Sequence, residues 1–208
     1  MPTSRTVIDL SHHNSVSSWQ TVKAAGIIAV VHKATEGVTF QDQQYHVRRE
    51  AAKAQNLLWG SYHFSSGDDP LQQVENYLTF AAPQADELMC IDFEPSSSGP
   101  NMSLDQLVEF VGLIHKEKGR SPVIYGGSML RDATKGVTSS PISACPLWYA
   151  RYAASPFGVP ALWSTLTLWQ YTDGNAGNPP HDVAGIGFCD RDIYFGSDDD
   201  LHKNWPLT

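Results

Sequence analysis

Residues 90–94 read Cys-Ile-Asp-Phe-Glu, an apolar run that ends in two carboxylates one residue apart. On a β-strand the side chains at i and i+2 share a face, so Asp92 and Glu94 are expected to project together, roughly 6–7 Å apart at Cβ. Two acids at that separation interact, and the more desolvated one is pushed toward its protonated form at neutral pH. A protonated and an ionised carboxyl facing one pocket are what acid-assisted cleavage of a glycosidic bond requires. A lone D-x-E also ends many strands as two solvated acids. The weight of the reading therefore falls on what the rest of the chain places around the pair.

Short β-rich apolar runs alternate with helical patterns, which argues for parallel strands joined by crossover helices. Eight strands are expected, over residues 6–10, 27–31, 57–64, 88–93, 123–125, 147–149, 166–171 and 188–195. Helical spacing marks residues 19–25 behind a Ser18 cap and before Gly26, then 42–55, then 70–80 with Pro70 in the first turn. The clearest helix runs from its Ser103 cap to Lys118, with Gly119 as the stop. Residues 129–133 make at most a short helix, and 134–146 and 172–187 are Gly-, Pro- and Ser-rich loops. The expected class is α/β, an irregular TIM-like (β/α) barrel whose helices thin out in the C-terminal half.

In a parallel barrel the chemistry gathers at the C-terminal ends of the strands. Asp9 falls near such an end, followed by Ser11, His12 and His13; Lys33, Thr35 and Glu36 follow the second strand, and His63 lies near the end of the third. Asp92 and Glu94 end the fourth strand, Tyr125 the fifth, Tyr149 and Arg151 the sixth, and Gln170 the seventh, while Asp190 and Asp192 lie on the eighth. Acids at the ends of several strands converge only if the barrel closes, and no ordinary core needs them. Tyr62, Tyr125, Trp148, Tyr149 and Trp169 are candidates for a sugar-binding floor, since rings stack on the apolar faces of pyranoses; plain core packing is the competing role for each.

With 208 residues, 41% of them hydrophobic and 17% charged, the chain suits one domain with a substantial core, and no linker divides it. A net charge of −8, with 14 Lys and Arg scattered singly, speaks against a nucleic-acid partner. A polyanionic envelope would have to be gripped by local contacts rather than by bulk attraction. Cys90 and Cys189 sit in apolar runs as buried thiols would, and no C-x-x-C pair suggests a structural zinc; one disulfide with one free thiol stays open. The N-terminal residues lack the apolar core of a secretory signal and no stretch approaches a membrane span. The protein is therefore expected to be made in the cytoplasm and delivered by another route if its substrate lies outside.

The blocks VIDLSHHN (7–14), HKATEG (32–37), GSYHF (60–64), IDFE (91–94), PLWYARY (146–152), LWQYT (168–172) and CDRDIYFG (189–196) resemble, in order, those of glycoside hydrolase family 25, the N-acetylmuramidase lysozymes. The resemblance spans about residues 7–196 and implies a flattened, irregular β/α barrel forming a single catalytic domain without a separate wall-binding region. It implies Glu94 as general acid with Asp92 beside it, and it matches Asp9 and Asp190 to further site acids. Glu36, Tyr62, His63, Tyr125, Trp148, Tyr149, Arg151, Trp169 and Gln170 are candidate substrate contacts. Two positions depart from the family pattern. Asp192 stands where the closing D-x-N has asparagine, which leaves its role open, and His32 replaces a β-branched residue and is given no function.

The implied reaction is hydrolysis of the β-1,4 bond between N-acetylmuramic acid and N-acetylglucosamine, by a monomer that needs no metal or cofactor. Asp92 either attacks the anomeric carbon or orients the substrate's 2-acetamido group as nucleophile. Both acids on one side of the bond favour the substrate-assisted route with retention. Two other readings compete. A metal-dependent polysaccharide deacetylase would use Asp9, His12, His13 and His63, although adjacent histidines on an extended segment point opposite ways and no H-E-x-x-H pair exists. A catalytically dead glycan-binding module would have no need for mutually repelling buried acids.

Overall fold

Eight strands close into a barrel around two distinct cores. The structure is a computed structural model that describes residues 2–207. Its strands are β1 (Ser4–Leu10), β2 (Ala29–Glu36), β3 (Phe40–Gln41), β4 (Leu58–Phe64), β5 (Leu88–Asp92), β6 (Val123–Gly126), β7 (Leu147–Ala150), β8 (Leu168–Thr172), β9 (Asp182–Val183), β10 (Gly187–Phe188) and β11 (Asp190–Tyr194). Its helices are α1 (Trp19–Ala24), α2 (Tyr45–Lys53), α3 (Pro70–Ala81), α4 (Leu104–Lys118), α5 (Ser128–Ala133) and α6 (Asp198–Asn204), with a short 3-10 helix at Pro141–Ala144. Around the barrel the order is β1-β11-β8-β7-β6-β5-β4-β2, and pairing of β1 with β2 closes the ring. No helix among the described residues is long and apolar enough to cross a membrane.

The helix boundaries follow local chemistry. Ser103 and Gln106 form a reciprocal capping box at the start of α4, and Gly119, at φ +69°, ends it in the left-handed region. Asp69 caps α3 with Pro70 in its first turn. Helix α2 begins at Tyr45 rather than at 42, because Asp42 accepts from the Gln44 N–H and folds residues 42–44 into a turn. Helix α6 has a second capping box, Ser197 with Asp200, in the run SDDD that the expected elements pass over.

The main correction concerns the last strand. An all-parallel barrel is expected from the alternation of strands and helices, but β11 runs antiparallel to both β8 and β1. A parallel return needs a crossover of a dozen or more residues back to the far end, usually a helix. Residues 173–189 instead hold only the two-stranded β9–β10 hairpin, so the chain turns back at the end where β8 finished. The second strand is also longer than expected: β2 runs on through Lys33, Thr35 and Glu36, paired with β4 along its length and with β3 at its end.

Side chains alternate across the barrel wall. Val7, Ala29, Val31, Leu88, Cys90, Val123, Trp148, Leu168 and Tyr194 pack inside. Ile8, Leu10, Val30, Met89, Ile91, Phe93, Ile124 and Tyr149 face outward under the helices, with Val74, Phe110, Val111 and Ile114 from α3 and α4. Leu201 of α6 and Leu207 belong to the inner core, and Trp205 Nε1 donates to the Trp59 carbonyl at 3.1 Å. The C-terminal segment thus plugs the floor of the barrel, opposite the ends that carry the polar residues. All three cysteines are free and buried. Leu201 is fully buried in that floor, so Leu201→Ala should lower unfolding stability by about 2–5 kcal/mol. Urea denaturation would measure this, and a loss below about 1 kcal/mol would show that the plug adds little.

Candidate active site

Every strand of the barrel sends at least one side chain to a single cleft at its mouth. The cleft has a volume of about 630 Å³ and is lined by Asp9 and Ser11 of the first strand and its exit, His13, Lys33, Tyr62, Phe64, Cys90, Asp92, Glu94, Tyr125, Trp148, Tyr152, Gln170 and Asp190. The register explains the convergence. Asp9 lies opposite Asp190 across the β1–β11 pair, and Asp92 lies between Phe64 and Tyr125 on its neighbours. Because β11 is antiparallel, its first residue reaches the mouth that the other strands reach with their last. Glu94 lies two residues beyond Asp92, just past the end of β5. The Phe93 N–H still donates to the Tyr125 carbonyl at 2.9 Å, so the ladder holds one residue further and Phe93 packs outward while its two acidic neighbours face the cleft.

Five carboxyls crowd this mouth and its lower wall, and all five hold protons more tightly than usual. Burial pushes Asp92 well above its ordinary range, with the charge of Glu94 as the next cause. Glu94 is raised by burial. Asp9 is raised well above its ordinary value by burial and then by the charges of Asp190 and Asp192. Asp190 is pushed up to about 7 by burial and then by Asp173. Asp192, with no exposed surface, is raised well above the usual range by burial. Lys33 is the one cation lining the cleft among the described residues, and it is held by Glu36 at 2.5 Å.

A hydrogen-bond hub organises these acids. Gln170 Nε2 donates to Asp9 Oδ2 at 2.8 Å, and Gln170 Oε1 accepts from both the Tyr125 and the Tyr152 hydroxyls, each at 2.8 Å. The Tyr125 hydroxyl also borders Glu94. A bond from it would lower Glu94, but with its proton committed to Gln170 the oxygen faces Glu94 as an acceptor, which suits a protonated acid. Below the hub, Trp148 Nε1 donates to Asp192 Oδ1 at 2.7 Å, while Asp192 Oδ2 is buried, without a donor, and within hydrogen-bonding reach of Asp9. Asp92 Oδ1 is likewise buried without a partner.

The structure separates the expected site residues into two groups. Asp9, Asp92, Glu94, Asp190, Tyr62, Tyr125, Trp148 and Gln170 share the cleft. His63, Tyr149 and Trp169 do not. His63 is on the outer face, between Thr35 and Gln73 and stacked on Phe110, with burial lowering its pKa to about 4. Tyr149 is fully buried under the helices, its hydroxyl donating to the Gly158 carbonyl, and Trp169 packs outward with Nε1 on the Arg151 carbonyl. Glu36 stands at the rim, where partial burial is outweighed by Lys33 and Ser97 and its pKa falls. Arg151 borders an adjoining recess rather than the cleft itself. His12 and His13 lie on a turn rather than an extended segment, with their rings 4.0 Å apart and His12 paired with Asp42 at 3.0 Å, but His63 is on the other side of the wall, so among the described residues these groups form no metal-binding cluster. Lys33 lines the cleft as its place at the end of the second strand leads one to expect, whereas Tyr152 and Phe64 are not among the expected site residues. Alternation identifies Tyr152, which has the same parity as Trp148 and Ala150.

Comparison with known proteins defines the class. The profile of glycosyl hydrolases family 25 matches residues 8–178. Lysozyme M1 of Streptomyces globisporus is 26% identical over 204 residues, covering 91% of this chain and 67% of that protein. The crystal structure of a bacterial lysozyme from Streptomyces coelicolor superposes with a TM-score of 0.81 at 27% identity, covering 93% of each chain. The family GH25 lysozyme from Aspergillus fumigatus gives 0.79 at 27% identity, with 97% and 98% covered. The chain belongs to glycosyl hydrolases family 25, and its barrel is the fold of those lysozymes. It is a glycoside hydrolase.

The buried acids carry a consequence for stability. Each has a folded-state pKa above its unfolded value, so the folded state keeps protons that the unfolded chain releases as pH rises past about 4. The contribution of these acids to stability should therefore fall from about pH 4 upward, that of Asp190 levelling off near its value of about 7, while buried His32 and His63, lowered to about 4, contribute in the opposite sense over the same range. Asp192→Asn keeps the acceptor for Trp148 and removes one such proton. Its stability–pH curve, from urea midpoints at pH 4 to 7, should be flatter than that of the unsubstituted protein, by at most about 1.4 kcal/mol per pH unit. Parallel curves would show that Asp192 is ionised in the folded state.

Proposed function

We propose that this protein is a lysozyme that cleaves the β-1,4 bond from N-acetylmuramic acid to N-acetylglucosamine in peptidoglycan, with Glu94 as general acid. The observation that carries the reading is the placement of Glu94 and Asp92 on one wall of an acid-rich cleft, both raised by burial. Two interacting buried carboxyls give up their protons in two steps that belong to the pair rather than to either residue. Lys33 favours the charged form of Asp92, and a substrate acetamide N–H given to its unpartnered Oδ1 would favour it further. The proton then resides on Glu94, beside the glycosidic oxygen it must protonate. Substrate binding thus selects which member of the pair is the acid.

In this scheme Asp92 orients the 2-acetamido group, whose carbonyl oxygen attacks the anomeric carbon, and the configuration is retained. Asp9 and Asp190 bind hydroxyls and set the field of the pocket, and the rings of Tyr62 and Trp148 supply apolar floor. The protein acts as a monomer on glycan strands of the wall, reaching them after release or delivery by another system. The name of a similar protein, the N,O-diacetylmuramidase of Arthroderma benhamiae, agrees with a muramidase reading; it is 25% identical over 177 residues.

Glu94→Gln should reduce lysis of purified walls by at least about 10²-fold while leaving the circular dichroism spectrum unchanged. Retention of most activity would remove Glu94 from the role of acid. Mass spectrometry of the released fragments should find the new reducing end on N-acetylmuramic acid, and proton NMR should detect the β-anomer first. An initial α-anomer would exclude the retaining route.

A further inference from the structure

Beside the cleft lies a second recess of about 590 Å³, lined by Glu94, Gly127, Ser128, Ala150, Arg151 and Tyr152. It shares Glu94 with the cleft, so a glycan whose scissile bond lies at Glu94 must send one of its neighbouring groups into or over it. Its character differs from that of the cleft. The cleft concentrates carboxyls, whereas the recess is bordered by a guanidinium.

Arg151 is held in a particular way. Its N–H donates to the Gln170 carbonyl at 3.0 Å and its own carbonyl accepts from Trp169 Nε1 at 2.7 Å, so the backbone is tied on both sides just past β7. The guanidinium carbon sits 3.8 Å from the centroid of the Phe157 ring, itself 56% exposed. A guanidinium stacked on a ring is fixed in orientation while the N–H groups around its edge stay free for an acceptor. Among the described residues no carboxylate lies within ion-pairing distance of Arg151, whereas Lys33, Arg49 and Arg131 each have one. A planar donor that is stacked, tied at its base and unpaired is arranged for an anion from outside the chain, and a carboxylate matches its fork.

We infer that Arg151, seated on Phe157, forms a carboxylate-binding subsite for the acidic substituent of the glycan. This rests on the peptidoglycan reading above. In that polymer a carboxylate has two sources close to the cleaved bond: the lactyl group of a muramic acid that carries no peptide, and the stem peptide of one that does. The acid-lined cleft repels either group, and the recess receives it. The subsite therefore distinguishes muramic acid polymers from uncharged N-acetylglucosamine polymers of the same backbone.

The test uses the full chain carrying Glu94→Gln, so that ligands stay intact, and measures Kd by calorimetry with three soluble glycans. One carries stem peptides, one has been stripped by an amidase to free lactyl carboxylates, and one is an N-acetylglucosamine oligomer without carboxylates. Adding Arg151→Gln should weaken binding of at least one carboxylate-bearing glycan about tenfold, the size of one charge-assisted hydrogen bond, and leave the uncharged oligomer unaffected. Which of the two glycans loses affinity identifies the source. Phe157→Ala, which removes the perch but keeps the charge, should weaken the same glycan in the same sense. Equal losses on all three ligands, or none on either acidic one, would overturn the subsite. Failure of the Glu94→Gln protein to bind any of the three would overturn the peptidoglycan reading, and the subsite with it.

Discussion

Five carboxyl groups meet at the mouth and lower wall of one small barrel, and they cannot all be charged. Burial alone raises each of them, and each ionised neighbour raises the next. This repulsion is the constraint that the rest of the architecture answers. The chain does not neutralise the acids with cations, since Lys33 alone lines the cleft among the described residues and is already paired with Glu36. It distributes protons and neutral donors instead. Gln170 gives one N–H to Asp9 and collects two tyrosine hydroxyls on its oxygen, so a single uncharged amide links the first, fifth, sixth and seventh strands of the barrel. Crowding of this kind is stable only where the walls are closed and the floor is sealed, which the β1–β2 pairing and the C-terminal plug provide.

The reversed last strand has a direct chemical effect. If β11 ran parallel to its neighbours, its first residue would lie at the floor and Asp190 would be buried among Val7, Leu88 and Leu201 rather than facing Asp9. Running antiparallel, it brings Asp190 to the mouth and leaves Asp192 one step below, with Tyr194 in the inner core. The same reversal sends the chain out at the floor, where α6 and Leu207 close the barrel. One loop without a crossover helix therefore fixes both a site acid and the seal beneath it.

Much of this was legible from residue types and order. The D-x-E pair, the helix caps at Ser18 and Ser103, Pro70 in the first turn of α3, and the thinning of helices after residue 135 all follow from local rules that tertiary contacts do not override. The site residues were less evenly legible, and the reason is parity. Tyr62 and His63, Trp148 and Tyr149, and Trp169 and Gln170 are neighbours on strands, and alternation permits only one of each pair to face inward. With Asp92 inward on β5, the parallel register places Tyr62, Trp148 and Gln170 inside and turns the other three out. The direction of β11 was not legible, because a 17-residue segment is long enough for a crossover and only its packing shows that it makes none. The recess beside Arg151 was out of reach as well, since Phe157 lies in a loop with no period to follow.

Two departures from the family's pattern show how the wall divides what a sequence can change. His32, where the resemblance leads one to expect a β-branched residue, stands on the outer face. It stacks on Trp59 and donates from Nδ1 to the Lys33 carbonyl at 2.7 Å, while Nε2 accepts from Arg48 at 3.1 Å. Both ring nitrogens are satisfied in the neutral form, and burial lowers its pKa to about 4, so the exchange adds no charge and leaves the cleft untouched. Asp192, where the resemblance leads one to expect asparagine, stands inside, and no such isolation is available to it. One oxygen has the Trp148 donor, and the other is buried without a donor, with Asp9 beside the residue. An amide there would offer an N–H to Asp9, and a carboxylic acid does the same only while it keeps its proton. The side of the wall thus decides the chemistry of a substitution: outward, packing partners absorb it, and inward, it joins the shared proton inventory of the site.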